Sequence, residues 1–171
     1  MNNTQNQNYI IVQVNNQEVL LEHDYNPKND SGNYMNIKQR AFFKNMLLQW
    51  NQSILESLEN IPEEIGSFHL DIHSVDEADM ANIEAEIISN LRTKDRQTKL
   101  LYRIAETIRK IDNNAYGYCE ETNEPTGIAR LLLRPITKFC VEVQREKEDQ
   151  ELDLENTAYN FDQELELETE E

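Results

Sequence analysis

Between Phe43 and Ile61 the apolar positions fall at intervals of three or four: Phe43, Leu47, Trp50, Ile54, Leu58 and Ile61. That spacing is the stripe of an amphipathic helix, predicted over residues 36–61. Pro62 stops it, because the residue before a proline is steered away from helical backbone. A second helix is predicted from about Asp76 to Asn114, with Ile83, Ile87, Leu91, Thr98, Leu101, Ala105 and Ile108 at coiled-coil spacing. Ser74 and Glu77 fit a capping box at its start, and acids crowd its first turn, where the helix macrodipole favours them. Two long helices joined by an irregular loop make an antiparallel hairpin. Through Arg92-Thr93-Lys94-Asp95-Arg96 the stripe turns polar, so there the seam loosens or meets something else.

The flanks read differently. Residues 1–33 are rich in Asn and Gln with two short apolar runs, 9–14 and 19–21, and form a partly disordered arm that could add a strand or short helix. Asn113-Asn114 and Gly117 break the second helix, and a turn-rich knot with Pro125, Gly127 and Pro135 follows over 115–147, ending in a short helix predicted from near Thr137. Residues 148–171 hold eleven acids and no Lys or Arg, the pattern of a solvated, disordered acidic tail. The expected fold is mainly α: a long antiparallel coiled-coil hairpin over 34–114, with its tip near 62–81, plus a small globular knot.

Composition narrows the chemistry. Four Gly and four Pro in 171 residues leave no GxGxxG or P-loop phosphate cradle. No run approaches a membrane span and the polar N-terminus lacks the apolar core of a signal peptide, so a cytoplasmic protein with reduced thiols is expected. The net charge of −17 opposes nucleic-acid binding at first sight, yet residues 145–171 alone carry −10 while 35–144 carry only −4. Within that centre, residues 92–110 hold seven basic residues against Asp95 and Glu106.

The knot carries the most specific local signal. Cys119 and Cys140 sit in the outline of a C-x2-C-x17-C-x2-C zinc site whose second and fourth ligands are Thr122 and Val143. Neither supplies a thiolate, so no metal is expected. The knot is then a degenerate zinc-finger-like unit in which the cysteines are small buried residues packed with Tyr116, Tyr118, Leu131, Ile136 and Phe139. His69 and His73, four apart in the loop, lack a third ligand for a metal site.

Several runs together carry a family resemblance: Lys94-Asp95-Arg96-Gln97-Thr98-Lys99-Leu100, Tyr116-Gly117-Tyr118-Cys119-Glu120-Glu121-Thr122-Asn123-Glu124-Pro125, Arg130-Leu131 and Leu133-Arg134-Pro135-Ile136. Without gaps the register extends back to Asp76-Glu77-Ala78-Asp79-Met80-Ala81, a D-x-x-D-x-A motif, and Tyr34-Met35-Asn36 and Trp50 fit as well. Over about residues 34–146 the chain resembles the DksA family (DksA/TraR type) of bacterial RNA polymerase-binding transcription factors, in a variant with degenerate zinc-finger cysteines. The resemblance implies a coiled coil entering the secondary channel of RNA polymerase and altering open-complex lifetime. It assigns Asp76, Asp79 and Ala81 to the tip near the catalytic magnesium; spacing alone would let the two aspartates merely cap a helix.

The resemblance also implies a site for guanosine tetraphosphate (ppGpp), the stringent-response effector, shared with polymerase. Arg96, Leu100, Arg103 and Arg134 match its contacts, whereas the last basic contact falls on the neutral Gln144. Guanidinium forks suit phosphate because each donates two parallel hydrogen bonds. The expectation is therefore a monomeric regulator, not an enzyme, without membrane association or direct sequence-specific DNA binding, and with no cofactor. Two rivals remain open: a Gre-like transcript-cleavage factor, and a coiled-coil scaffold with no polymerase role.

Overall fold

In the computed structural model the described residues are 9–59 and 77–168, the side chains of 77–79, 81 and 155–168 excepted. They divide into two units between Tyr116 and Gly117.

The first unit opens with β1 (Tyr9–Val14) and β2 (Gln17–Glu22), paired antiparallel from Tyr9↔Glu22 to Val14↔Gln17. Asn15 and Asn16 form the two-residue turn, with φ of 52° and 60°. Left-handed values at both positions suit the right-handed twist of a hairpin, and asparagine tolerates them better than most residues. The sequence reading has a partly disordered arm here whose apolar runs could add a strand or short helix; residues 9–22 form an ordered hairpin whose two strands hold those runs. The reason is alternation: Val12, Val14, Val19 and Leu21 point to one side and are buried, while Tyr9, Ile11 and Leu20 are exposed. That inward row packs on the first helix, which supplies the buried partner an isolated hairpin lacks.

Helix α1 runs Ile37–Glu59 and α2 runs Glu77–Asp112. Asn36 caps α1 by accepting the Gln39 N–H on its side-chain oxygen at 2.9 Å. At the far end of α2, Asn114 adopts φ 60°, its N–H bonds the Ile111 carbonyl at 3.2 Å, and the Ala115 N–H reaches back to Lys110 at 2.9 Å. This Schellman arrangement satisfies the last helical carbonyls. The loop predicted over 62–75 lies outside the described residues.

Two cross-links set the helix register. Lys44 Nζ meets the Asp112 carboxylate, and Gln97 Nε2 donates to Ser57 Oγ at 3.2 Å. The start of α1 therefore pairs with the end of α2, and the helices are antiparallel. Stepping along that register brings Phe43 level with Ile111, Leu47 with Ile108, Trp50 with Ile104 and Ile54 with Leu101. Phe43, Leu47, Ile104 and Ile111 are fully buried.

The seam of α2 differs from the predicted one at three positions. Leu91, Thr98 and Ala105 are exposed; the buried or half-buried row is Ile83, Ile87, Asn90, Lys94, Gln97, Leu101, Ile104, Ile108 and Ile111, and from Gln97 onward it lies beside the described part of α1. A strict alternation of four and three links these nine. The sequence reading followed the apolar residue nearest each step and so drifted one face over, because Asn90, Lys94 and Gln97 interrupt the apolar row.

The second unit begins with a tight turn. Tyr118 pairs with Pro125, Cys119 N–H bonds Glu124 at 2.9 Å and Thr126 N–H bonds Gly117 at 2.8 Å. Gly117 and Gly127 both have positive φ, 96° and 89°, which glycine adopts without a Cβ clash. Helix α3 spans Ile128–Leu133, with Leu131 buried, and α4 spans Val141–Glu168. The short helix predicted from Thr137 thus starts later, and the region read as a disordered tail is helical to Glu168. Glutamate, leucine and glutamine are strong helix formers, and no Gly or Pro interrupts residues 141–168. Side chains 148–154 are all exposed, so intrinsic propensity rather than packing carries this stretch. Among the described residues no helix is long and apolar enough to cross a membrane.

Candidate functional site

The residues singled out in the sequence fall in three places. Of the tip residues, Asp76 lies outside the described residues, while Asp79 and Ala81 belong to the first two turns of α2, which starts at Glu77. The cross-linked register puts Glu59, the last described residue of α1, level with the neighbourhood of Asp95. Residues 77–94 of α2 therefore continue about 27 Å past it at 1.5 Å per residue. An acidic first turn at the end of such an extension sits far from the base of the hairpin, where Lys44 and Asp112 meet.

Farther along α2, Arg96, Leu100 and Arg103 are spaced at i, i+4 and i+7 and share one face. Arg96 and Arg103 are exposed and Leu100 is half-buried between them. Neither arginine has a carboxylate partner among the described residues; Arg96 makes only a 3.5 Å contact from Nη2 to Thr93 Oγ1. Their neighbours differ. Lys99 is held by Asp95 at 2.8 Å and Lys110 by Glu106 at 3.5 Å, both four residues apart. The two guanidinium groups thus remain available to an anion that brings its own negative charge. Arg134, exposed just after α3, belongs to the second unit, where its N–H closes onto Arg130 at 2.8 Å. Gln144 is engaged within α4, its amide donating to Glu148 at 2.8 Å.

The third place is the knot around Cys119 and Cys140, both buried free thiols clustered with Val143 and lined by Phe139. Burial pushes the Cys119 thiol up, but the Thr122 hydroxyl and the backbone N–H groups of Thr122, Cys140 and Glu121 all donate to its sulfur. The hydrogen bonds win, and its pKa is lowered to about 6. Cys140 goes the opposite way. The Val143 N–H favours its thiolate, yet burial and the hydrogen bond with Cys119 hold its proton on. The geometry is a set of hydrogen-bond donors gathered around the Cys119 sulfur, with the Cys140 thiol bonded to it.

Lys147, which the sequence reading passed over, completes this arrangement. Its Nζ lies 2.6 Å from Glu121 Oε1 and 4.7 Å from the centre of the Phe139 ring. One cation from α4 thereby clamps the turn carrying Cys119 and covers the aromatic wall of the cluster. The signal available in the sequence was only spacing, since a lysine seven residues after Cys140 returns two turns along the same helix.

This donor set does not fit a four-ligand zinc ion. Val143 offers methyl groups at one ligand position, and at another the Thr122 hydroxyl donates to Cys119 rather than facing a shared centre. Among the described residues no group of three His, Cys, Asp or Glu could hold a metal.

With this geometry in hand, comparison with known proteins places the two units. Residues 39–111 match the DnaK suppressor protein DksA, N-terminal domain family, and residues 114–149 match the prokaryotic dksA/traR C4-type zinc finger family. The chain is 40% identical over 138 residues to the RNA polymerase-binding transcription factor DksA of Caulobacter vibrioides, covering 78% of this chain and 92% of that protein. Against the protein of the same name from Haemophilus influenzae it is 34% identical over 122 residues, covering 69% and 79%. In structure it is similar to transcription factor DksA2 from Pseudomonas aeruginosa, with a TM-score of 0.63 and 34% identity, covering 72% of this chain and 94% of that one.

Proposed function

Because this chain belongs to the DksA family, we propose that it binds RNA polymerase directly, inserts its hairpin into the enzyme's secondary channel and tunes transcription initiation, with guanosine tetraphosphate as effector. The relatives that cover most of it carry RNA polymerase binding in their name. Transcription regulation, rather than catalysis of its own, is therefore the activity, exercised in the cytoplasm by a monomer that reads no DNA sequence.

One observation carries the mechanism: α2 continues about 27 Å beyond Glu59 and bears Asp79 in its opening turn. A stiff helix delivers a carboxylate to a confined place, where charge acts at short range and solvent screening is weak. Asp76 and Asp79 would there contact basic groups or water on the catalytic magnesium, with Ala81 keeping the contact surface small. The exposed Arg96 and Arg103, flanking Leu100, supply the part of the alarmone site that α2 carries. Gln144 contributes no charge to it, which weakens but does not abolish phosphate recognition.

The experiment uses purified polymerase on a promoter with a short-lived open complex. Asp79→Asn is expected to bind polymerase with unchanged affinity and to lose the effect on open-complex lifetime. A variant that loses affinity and effect together would make Asp79 a structural residue, and an unaltered effect would remove the tip from the mechanism. Addition to backtracked complexes separates the transcript-cleavage rival, which requires rapid shortening of the RNA.

A further inference from the structure

The β-hairpin has two edges of different chemistry. Val14 and Gln17 flank the two-residue turn as a hydrogen-bonded pair, so Val12↔Val19 and Ile10↔Leu21 also bond across the hairpin. The main-chain groups of Tyr9, Ile11 and Gln13 on β1, and of Glu18, Leu20 and Glu22 on β2, therefore point away from it. Among the described residues no further backbone hydrogen bond ends on the β1 row, whereas the Glu22 carbonyl already accepts the Tyr25 N–H at 3.1 Å. Charge separates the edges too. The six residues of β1 include no charged side chain and no proline, while Glu18 and Glu22 stand in the outward row of β2. A long uncharged edge is a template for another strand, and charge is one of the means by which proteins close such edges.

We propose that β1 pairs antiparallel with β1 of a second copy of this chain, making a four-stranded sheet in the order β2, β1, β1, β2 that closes at two copies. A two-fold axis at Ile11 sets Ile11 opposite the partner's Ile11 and Tyr9 opposite the partner's Gln13. The outward N–H and C=O groups of both strands are then satisfied, and no like charges meet. The same operation on β2, about Leu20, sets Glu18 opposite the partner's Glu22 twice, and like charges directly opposite destabilise a pair. With the Glu22 carbonyl already engaged, β2 is the poorer template, so the sheet does not grow into a ribbon. Pairing also brings the exposed Tyr9 and Ile11 of both copies side by side on the outer face, which removes apolar area from water. The contact is small, so affinity is weak and single copies prevail at low concentration. This inference goes beyond the polymerase reading, in which one copy acts, and does not rest on it.

Sedimentation equilibrium on the full chain, without polymerase, tests it. Between about 1 and 500 µM the average mass should rise from that of one copy towards that of two, with a dissociation constant on the order of 100 µM. Ile11→Lys should weaken pairing about tenfold or more, because it sets two ammonium groups face to face at the axis. The Ile11 side chain is 63% exposed, so the hairpin itself keeps its packing. Leu20→Lys adds the same charge to the same face but on the strand away from the axis, and should change pairing by no more than about threefold. Equal losses in the two variants would mean that sheets meet by their faces, and would overturn the edge pairing. So would a single-copy mass at every concentration of the unsubstituted chain, or growth beyond two copies.

Discussion

Lys44 and Asp112 lock the base of the hairpin, with Nζ 2.6 and 2.8 Å from the two carboxylate oxygens and the lysine side chain only 14% exposed. Asp112 also accepts the Asn15 N–H at 3.4 Å, so one carboxylate ties α1, α2 and the β-turn together. Removing the lysine leaves a half-buried carboxylate; removing the aspartate strands a more deeply buried ammonium and frees the turn. We expect Lys44→Ala to cost about 1–2 kcal/mol and Asp112→Ala somewhat more, read from urea midpoints at constant slope. If the two losses were simply additive in the double variant, the pair would not be coupled.

The same turn offers a second check. Asn15 holds φ 52° and donates its amide to Asn114 at 2.7 Å, while Asn16 holds φ 60°. Asn15→Ala loses the bond and places an alanine in left-handed backbone, for a cost of about 1–2 kcal/mol. Asn16→Gly relieves the backbone and should stabilise by about 0.5 kcal/mol. Equal effects at both positions would contradict a primed hairpin turn.

The two-helix architecture was legible because Phe43, Leu47 and Ile54 keep their spacing without interruption, and a proline and paired asparagines punctuate the ends. The seam of α2 was not, since a row broken by Asn90, Lys94 and Gln97 has the same apolar count as the neighbouring row through Leu91, Thr98 and Ala105. Only the partner helix decides between them. The β-hairpin hid in an Asn- and Gln-rich arm, where alternation over six residues is weak until α1 gives Val12 and Leu21 something to cover. The helical 148–168 stretch hid behind its charge, which describes solvation better than backbone. Candidate site residues could be named from motif and spacing, but the Thr122 hydroxyl acts through a contact that no spacing announces, and Lys147 offered only its distance from Cys140.

For the effector, the two exposed arginines on α2 give a separable expectation. Arg103→Ala, with Arg96 left in place, should weaken the response to guanosine tetraphosphate at a sensitive promoter about tenfold while the effect without it stays intact. Arg103→Lys should recover part of the response, because an ammonium keeps the charge but loses the two-pronged geometry. A full response in Arg103→Ala would take this face of α2 out of the effector site.

The knot gives the sharpest test, because its sulfur chemistry depends on pH in a defined direction. Cys119 titrates at about 6 in the folded chain against 9.0 ordinarily, so folding favours its thiolate. A depressed pKa contributes stability that is fully present above the unfolded value and is lost as pH falls through the folded one. The window therefore runs from about 9 down to about 6. The quantity to measure is the difference in urea stability between the unsubstituted chain and Cys119→Ser, in which contributions common to both cancel. That difference should shrink steadily as pH falls through the window, and a flat difference would mean that Cys119 stays a thiol. Thr122→Val removes one donor to the sulfur and should raise the thiol pKa, followed directly by thiolate absorbance in the ultraviolet. EDTA should leave the circular dichroism unchanged throughout, because the Cys119 sulfur is held by N–H and O–H donors; loss of helix signal on chelation would show that a metal, not these hydrogen bonds, holds the knot.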